Sequence, residues 1–226
     1  MTSLETFGRE FANELQGLVR QTLGTSRAVR SVKHRGRTVV RPGSTKPVAV
    51  ALNYKGRLSA KLMFRFEIGL DSSGNFPAIT TSEVHLLSAA TNRPVLRYEY
   101  LWNANRSPSA HWHVHGENTE LGRILGDQGP VRGRLEDLHL PVGGIRFRPA
   151  LEDVIEFLIL DLGFDHERAW RSAVNDGRER WRATQLAVAV RDSPEHAAET
   201  LRMLGYAVTA GSGANRNGNL RRLAAS

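Results

Sequence analysis

Residues 57–70 alternate without a break. Leu62, Phe64, Phe66 and Ile68 share one side of an extended chain, and Lys61, Arg65 and Glu67 share the other. A helical period would scatter those four apolar residues around the axis, so only a strand can bury them together. Such a strand needs neighbours at its edges and a cover on its apolar face. The flanking sequence supplies the neighbours. Val48–Tyr54 and a turn at Gly56 precede it, and Asp71-Ser-Ser-Gly-Asn75 forms a hairpin loop after it. Phe76–Ala89 is the next predicted strand, and Thr91-Asn-Arg-Pro94 the next turn. Val95–Trp102 then puts Leu96, Tyr98, Tyr100 and Trp102 on one face and Arg97 and Glu99 on the other. Asn105–Pro108 turns again into the extended segment Ala110–Glu117. Four or five strands joined by short turns make an antiparallel meander.

The cover comes from helices. Phe7, Phe11, Leu15, Leu18 and Leu23 predict a helix over residues 3–23, with Thr2 or Ser3 at its start and Gly24 at its stop. A second is predicted from Pro149 to about Leu162, with Glu152 and Asp153 at its positive end. A third, from His166 to Arg191, carries a stripe of Trp170, Val174, Trp181, Thr184 and Val188. A fourth starts at Asp192-Ser-Pro-Glu195 and ends near Leu204, and Tyr206–Val208 is read as a candidate last strand. Strands followed by helices predict an α+β fold. The expected organisation is an N-terminal helix (1–24), a basic loop (25–46) with one candidate ribbon at Thr38–Arg41, one α+β domain (47–209) and a disordered tail (210–226).

Composition narrows the chemistry. The absence of cysteine removes disulfides, thiolate zinc sites and a cysteine nucleophile. No apolar run is long enough to cross a bilayer, and the acidic, polar start does not resemble a signal peptide, so a cytoplasmic protein without a membrane partner is expected. The net charge of +8 is unevenly placed. Between Leu15 and Phe66 there is no acid, whereas that stretch holds twelve Lys and Arg residues. Its densest part offers Arg27, Arg30, Lys33, Arg35, Arg37 and Arg41 as candidate contacts to DNA or RNA. The alternative is a solvated loop that keeps the protein soluble.

The most informative segment is Ala110-His111-Trp112-His113-Val114-His115-Gly116-Glu117. On a strand the three histidines form a row, roughly 6.5–7 Å per step, with Trp112 and Val114 turned to the core. Imidazole is the commonest metal ligand and titrates near neutrality. The row therefore suits a divalent metal, Zn²⁺ or Mn²⁺, held by His111, His113 and His115 with His139, Glu117 or Glu99 as a further ligand. It also suits metal-free acid–base work on a phosphodiester, phosphate recognition without chemistry, or simple packing. In the catalytic version Glu117 or Glu99 is the base, and Arg97, Arg146 and Arg148 neutralise phosphate. Arg146 and Arg148 flank a helix start after Gly143-Gly144, where an anion can sit; a tight turn with Arg148 paired to Glu152 or Asp153 explains them equally.

These residues carry a resemblance. His-x-His-x-His at 111–115, Leu-His-x-Pro-x-Gly-Gly-x-Arg-Phe-Arg-Pro-x-Leu-Glu-Asp at 138–153, Trp170 and Trp181, and the Ala189–Glu195 stretch are together similar to a group of uncharacterised, largely actinobacterial proteins. The similarity spans about residues 95–208 and implies membership without implying an activity. The functional expectation therefore rests on the residues alone. It is a phosphate- or nucleic-acid-binding protein with a histidine-lined site, possible metal-dependent phosphoester hydrolysis included. The competing expectation is a non-enzymatic interaction component, regulatory, toxin–antitoxin-like or phage-related, with a protein partner or a second copy of itself.

Overall fold

The computed structural model describes residues 3–71, 74–105, 107–116, 139–212 and 218. Chain order is α1 (Leu4–Leu23), β1 (Val29–His34), β2 (Arg37–Pro42), β3 (Val50–Tyr54), β4 (Arg57–Leu70), β5 (Pro77–Ser88), β6 (Pro94–Leu101), β7 (Ala110–Val114), β8 (Leu140–Pro141), α2 (Gly144–Phe147), α3 (Leu151–Leu160), α4 (Trp170–Asp192) and α5 (Pro194–Met203). This is an α+β fold, with strands first and most helices after them. The eight strands form one antiparallel sheet in the order β1-β2-β4-β5-β6-β7-β8, and β3 also pairs with β4.

β4 organises the sheet because of its length. Its first half pairs with β3 (Val50↔Leu62) and its second with β2 (Val40↔Phe66), while β5 runs along the other edge throughout. From β4 to β7 the strands follow one another as the predicted meander. Their apolar faces meet α1, α3 and α4 in one core built around Phe64, Leu62, Leu52, Val19, Ile155, Leu158 and Val174. α1 begins where Ser3 accepts a hydrogen bond from the Thr6 amide (3.1 Å) and ends where Gly24 takes a left-handed φ of 63°. Its third turn buries Ala12 and Leu15, and Gly8 lies directly over β1 and β2. A Cβ at Gly8 would come within 2.6 Å of Ser31 Oγ.

The sheet has more strands than predicted, and the largest difference is the basic segment 25–46. It is a hairpin and not a loop, and its second strand covers the ribbon expected at Thr38–Arg41. Arg35 (φ 49°) and Gly36 (φ 78°) supply the two left-handed residues of a tight two-residue turn, the geometry also used by Lys55-Gly56 between β3 and β4. β2 hides its period because Thr38 to Pro42 are buried on both faces. Both the hairpin and α1 are integral to the core: Gln16 of α1 accepts from the Val29 amide (2.7 Å) and donates to the Arg27 carbonyl (3.2 Å).

Smaller differences follow from capping. α3 starts at Leu151, after Ala150 rather than at Pro149, because the Asp153 carboxylate accepts from the Ala150 amide (2.8 Å). α4 starts at Trp170, later than His166. Residues 206–208 join no strand. The tail expected to be disordered lies outside the described residues, except residues 210–212 and 218. Among the described residues no helix is long and apolar enough to cross a membrane.

Candidate functional site

The face of the sheet turned away from the helices is polar. Register sets its pattern in lateral rows. His85 of β5 lies opposite Arg97 of β6, and Arg97 lies opposite His113 of β7. One step along, Arg65, Glu83, Glu99 and His111 form a parallel row across β4 to β7. The alternation that turns Tyr98, Tyr100 and Trp112 toward the core therefore gathers cations, carboxylates and imidazoles on the reverse.

Three histidines close on one another at the β7 end. One ligand atom from each of His111, His113 and His139 lies within 4.8 Å of the others, and the ring centroids are 4.7–4.9 Å apart. β8 makes this possible. It pairs His111 with Pro141 and Trp112 with Leu140, and continuing that register places residue 139 beside His113. His111 and His113 are buried, with 1% and 5% exposure, while His139 is exposed. His111 Nδ1 lies 2.7 Å from the Pro108 carbonyl, which assigns its proton to Nδ1 and leaves Nε2 as a lone-pair donor. Burial holds the His111 imidazole below its usual pKa, which favours the neutral, ligating form.

Glu99 faces this group from β6. Its Oε2 lies 3.7 Å from His111 Nε2 and 3.8 Å from His113 Nε2, and its other oxygen lies 3.4 Å from Arg97. Two buried polar atoms beside the cluster, His85 Nε2 and Arg97 Nε, have no hydrogen-bond partner among the described residues. Desolvation lowers the pKa of His85 as well, against the pull of Glu99.

The predicted site residues separate into those this face gathers and those it does not. His111, His113, His139, Glu99 and Arg97 come together. His115 follows the end of β7 and lies outside the triple, its place taken by His139. Glu117 lies outside the described residues. Arg146 and Arg148 are on the opposite, helix-covered side, so an anion site shared with the histidines is corrected. Arg146 pairs with Asp192 at 2.6 Å, and both are buried. The Arg148 guanidinium is stacked over Tyr100 (3.8 Å) and reaches the Trp181 ring (4.7 Å). His85 and Glu83 were missed; the alternation of β5 was the signal that could have found them, since it puts both on the face of Arg97 and Glu99.

The basic set divides similarly. Arg27, Arg30, Lys33, Arg35 and Arg37 are exposed along the β1–β2 hairpin, although Arg37 pairs with Glu67 (2.5 Å) and Lys33 donates to Thr38 (2.9 Å). Arg41 does not belong with them. It is buried, and it donates to the carbonyls of Pro42, Gly43, Ser44 and Thr45, tying down the loop before β3. Burial alone would raise the Glu67 carboxyl, but hydrogen bonds from Arg37 and Arg65 outweigh it and hold Glu67 below the usual range. No protein-family model, curated protein or solved structure matches this chain.

Proposed function

We propose that His111, His113 and His139 bind a divalent metal ion, and that the polar sheet face around them acts on a phosphate-bearing substrate. The observation that carries this reading is the convergence of three imidazole nitrogens within 4.8 Å. Zn–N bonds of about 2.0–2.1 Å at tetrahedral angles need nitrogens roughly 3.4 Å apart, so small side-chain adjustments complete the site. Among common ions, a three-imidazole set with one open position suits Zn²⁺ best. The His111–Pro108 contact supports it, because a ligating imidazole is ordinarily oriented through its other nitrogen.

Such an ion supplies an acidified water and a Lewis acid for a phosphoryl oxygen. The chain supplies the rest. Glu99 is close enough to both ligand nitrogens to serve as a fourth ligand or to accept a proton. Arg97 and His85 offer their unsatisfied nitrogens to phosphate oxygens. The exposed cations of the β1–β2 hairpin, Arg27, Arg30, Lys33 and Arg35, extend the surface for a nucleic acid. The test is elemental analysis of tag-free protein, followed by hydrolysis of bis(p-nitrophenyl) phosphate with and without added Zn²⁺ or Mn²⁺. The expected result is near-stoichiometric metal and metal-dependent turnover, both lost in His113→Ala while the far-ultraviolet spectrum stays unchanged. A metal-free wild type that also fails to take up Zn²⁺ would end the reading.

A second reading has its own observation. α5 buries no residue, and Leu186, Val190, Leu201, Met203, Leu204 and Tyr206 are exposed on α4, α5 and the chain just after them. That surface favours a non-enzymatic role through a protein partner or a second copy. Light scattering checks the self-association arm: a dimer that dissociates in Leu204→Glu supports it, and a monomer at all concentrations removes it.

A further inference from the structure

A cavity of about 430 Å³ lies on the helix-covered side of the sheet, between α1, β4, β5 and α4. Its body is apolar, formed by Phe7, Phe11, Phe66, Ile79 and Leu151, with Trp181 on one wall. Exposed residues of its lining, Glu10 and Glu14 from α1 and Arg180 and Thr184 from α4, mark the mouth. A concave, mostly apolar space of roughly 300–1,000 Å³ with a few placed polar groups is the usual form of a small-molecule site.

The placed polar group is Glu152, which is 8% exposed and lines the cavity. Its seat is built for it. Gly177 of α4 leaves the room, since a Cβ there would fall within 2.2 Å of Glu152 Oε1. The other two acids of α3, Asp153 and Glu156, both pair with Arg178. Among the described residues Glu152 forms no ion pair, and the hydrogen bond to its carboxylate comes from its own backbone amide. Arg148 lines the cavity too, but it is engaged by Tyr100 and Trp181. The electrostatic neighbours of Arg148 are Tyr100, Tyr98 and Arg146, whereas those of Glu152 are Asp153, Arg180 and Arg178. The guanidinium at the sheet and the carboxyl at the helices therefore occupy separate environments. A buried carboxylate without a cation is costly, and burial accordingly raises the Glu152 carboxyl above its usual range. A cation brought into the cavity offsets that cost.

We propose that this cavity binds a small apolar amine in its protonated form, with its hydrocarbon or aromatic body against Phe7, Phe11 and Phe66 and its ammonium on the Glu152 carboxylate. The lining selects the charge. Glu10 and Glu14 at the mouth outnumber Arg180, so a cation is drawn in and an anion meets acids on its way. The aromatic walls add to this, because ring faces attract an ammonium. The site thus takes a different chemical class from the phosphate face, and neither proposal depends on the other.

Calorimetric titration of the full chain tests it, with octylamine and 1-naphthylmethylamine as probes and 1-octanol and octanoate as the uncharged and anionic controls. Saturable binding of at least one amine is expected, with a change in tryptophan fluorescence because Trp181 lines the wall. 1-Octanol and octanoate should bind at least about tenfold more weakly than that amine, the ratio that one charge-assisted hydrogen bond supports. Glu152→Gln keeps the shape of the side chain and removes its charge, and should weaken amine binding at least about tenfold. Ala183→Trp, an exposed position at the mouth, should weaken it as much by filling the entrance, with Glu152 left in place. The proposal is overturned if neither amine binds up to about 1 mM. It is equally overturned if 1-octanol or octanoate binds as tightly as the amine, or if either variant, folded by its far-ultraviolet spectrum, binds the amine as tightly as wild type.

Discussion

Cations lie on both sides of the sheet, in different circumstances. On the helix side, cations are built into the architecture. Arg146 is spent on Asp192, Arg148 on two aromatic rings, and Arg178 bridges Asp153 (2.8 Å) and Glu156. On the far side, buried nitrogens of His85 and Arg97 have no partner among the described residues, and three imidazoles crowd together beside a carboxylate. A buried polar atom without a partner is costly. Tying each cation to its own partner stabilises the first face, although the Tyr98 hydroxyl there is also buried without a partner among the described residues; the proposed metal site on the second face rests on the three imidazoles crowded beside a carboxylate. Arg146 and Arg148 look like anion ligands from their spacing, and only the face on which they sit separates architecture from site.

The largest expected effect is on the histidine face. His113→Ala should take bound zinc from near one equivalent to near zero, read by elemental analysis, with little change in the unfolding midpoint of the metal-free protein. If the variant keeps its metal, the face is not organised around the histidines.

On the helix side the corresponding change is structural. Asp192→Ala leaves Arg146 as a buried cation without its carboxylate, and breaking such a pair costs about 3–5 kcal/mol. Denaturant unfolding should show that loss with no change in metal content. A loss below about 1 kcal/mol, as for an exposed pair, would show that the two faces differ less than their geometry implies.

Much of this contrast is legible in the sequence, and its limits are physical. The alternation of β4 fixes which residues of that strand meet the core, and Tyr98 with Tyr100 against Arg97 with Glu99 does the same for β6. His111 and His113 on one face follow from a two-residue period alone. His139 as the third member does not, because it depends on β8 closing on β7 across 25 intervening residues. The partner of Arg146 is 46 positions away, and local spacing offers Arg146 nearer acids that it does not use. The β1–β2 hairpin was hidden for another reason. Its turn, Arg35-Gly36, has the same form as Lys55-Gly56, but the strands on either side of it lack an apolar–polar alternation. Those cations also have a structural use: charged residues on an edge strand such as β1 discourage pairing with another molecule.

Glu152 sharpens the comparison through pH. Desolvation is the largest influence on it and raises its folded-state pKa, although a backbone hydrogen bond opposes this. The folded protein therefore holds this proton at a pH where the unfolded chain has released it. Stability then falls as pH rises from the unfolded carboxyl value toward the folded one. The difference between wild type and Glu152→Gln, measured by thermal unfolding from pH 4 to 8, should move in favour of the glutamine variant as pH rises. A flat difference would mean that Glu152 is as well solvated as a surface acid. Glu67, held low by Arg37 and Arg65, should show the opposite slope against Glu67→Gln, with its contribution lost as pH falls.

The smallest expected effect tests whether the basic hairpin is architecture or appendage. Gly36 has φ 78° and nothing within 4 Å of a Cβ placed on it, so Gly36→Ala introduces backbone strain without a clash. A residue forced into the left-handed region costs about 1 kcal/mol. Because β1 and β2 pair in one sheet with β4 and α1 packs on both, that strain should appear in global unfolding as a loss of about 1 kcal/mol. Gly56→Ala, at the matching turn between β3 and β4, offers an internal standard with φ 76° and equally open surroundings. Equal losses would show that the two hairpins unfold with the same core. A normal loss at Gly56 with none at Gly36 would show that the basic hairpin opens independently, and its exposed cations would then be a separable arm for a polyanion rather than one edge of the sheet that carries the histidines.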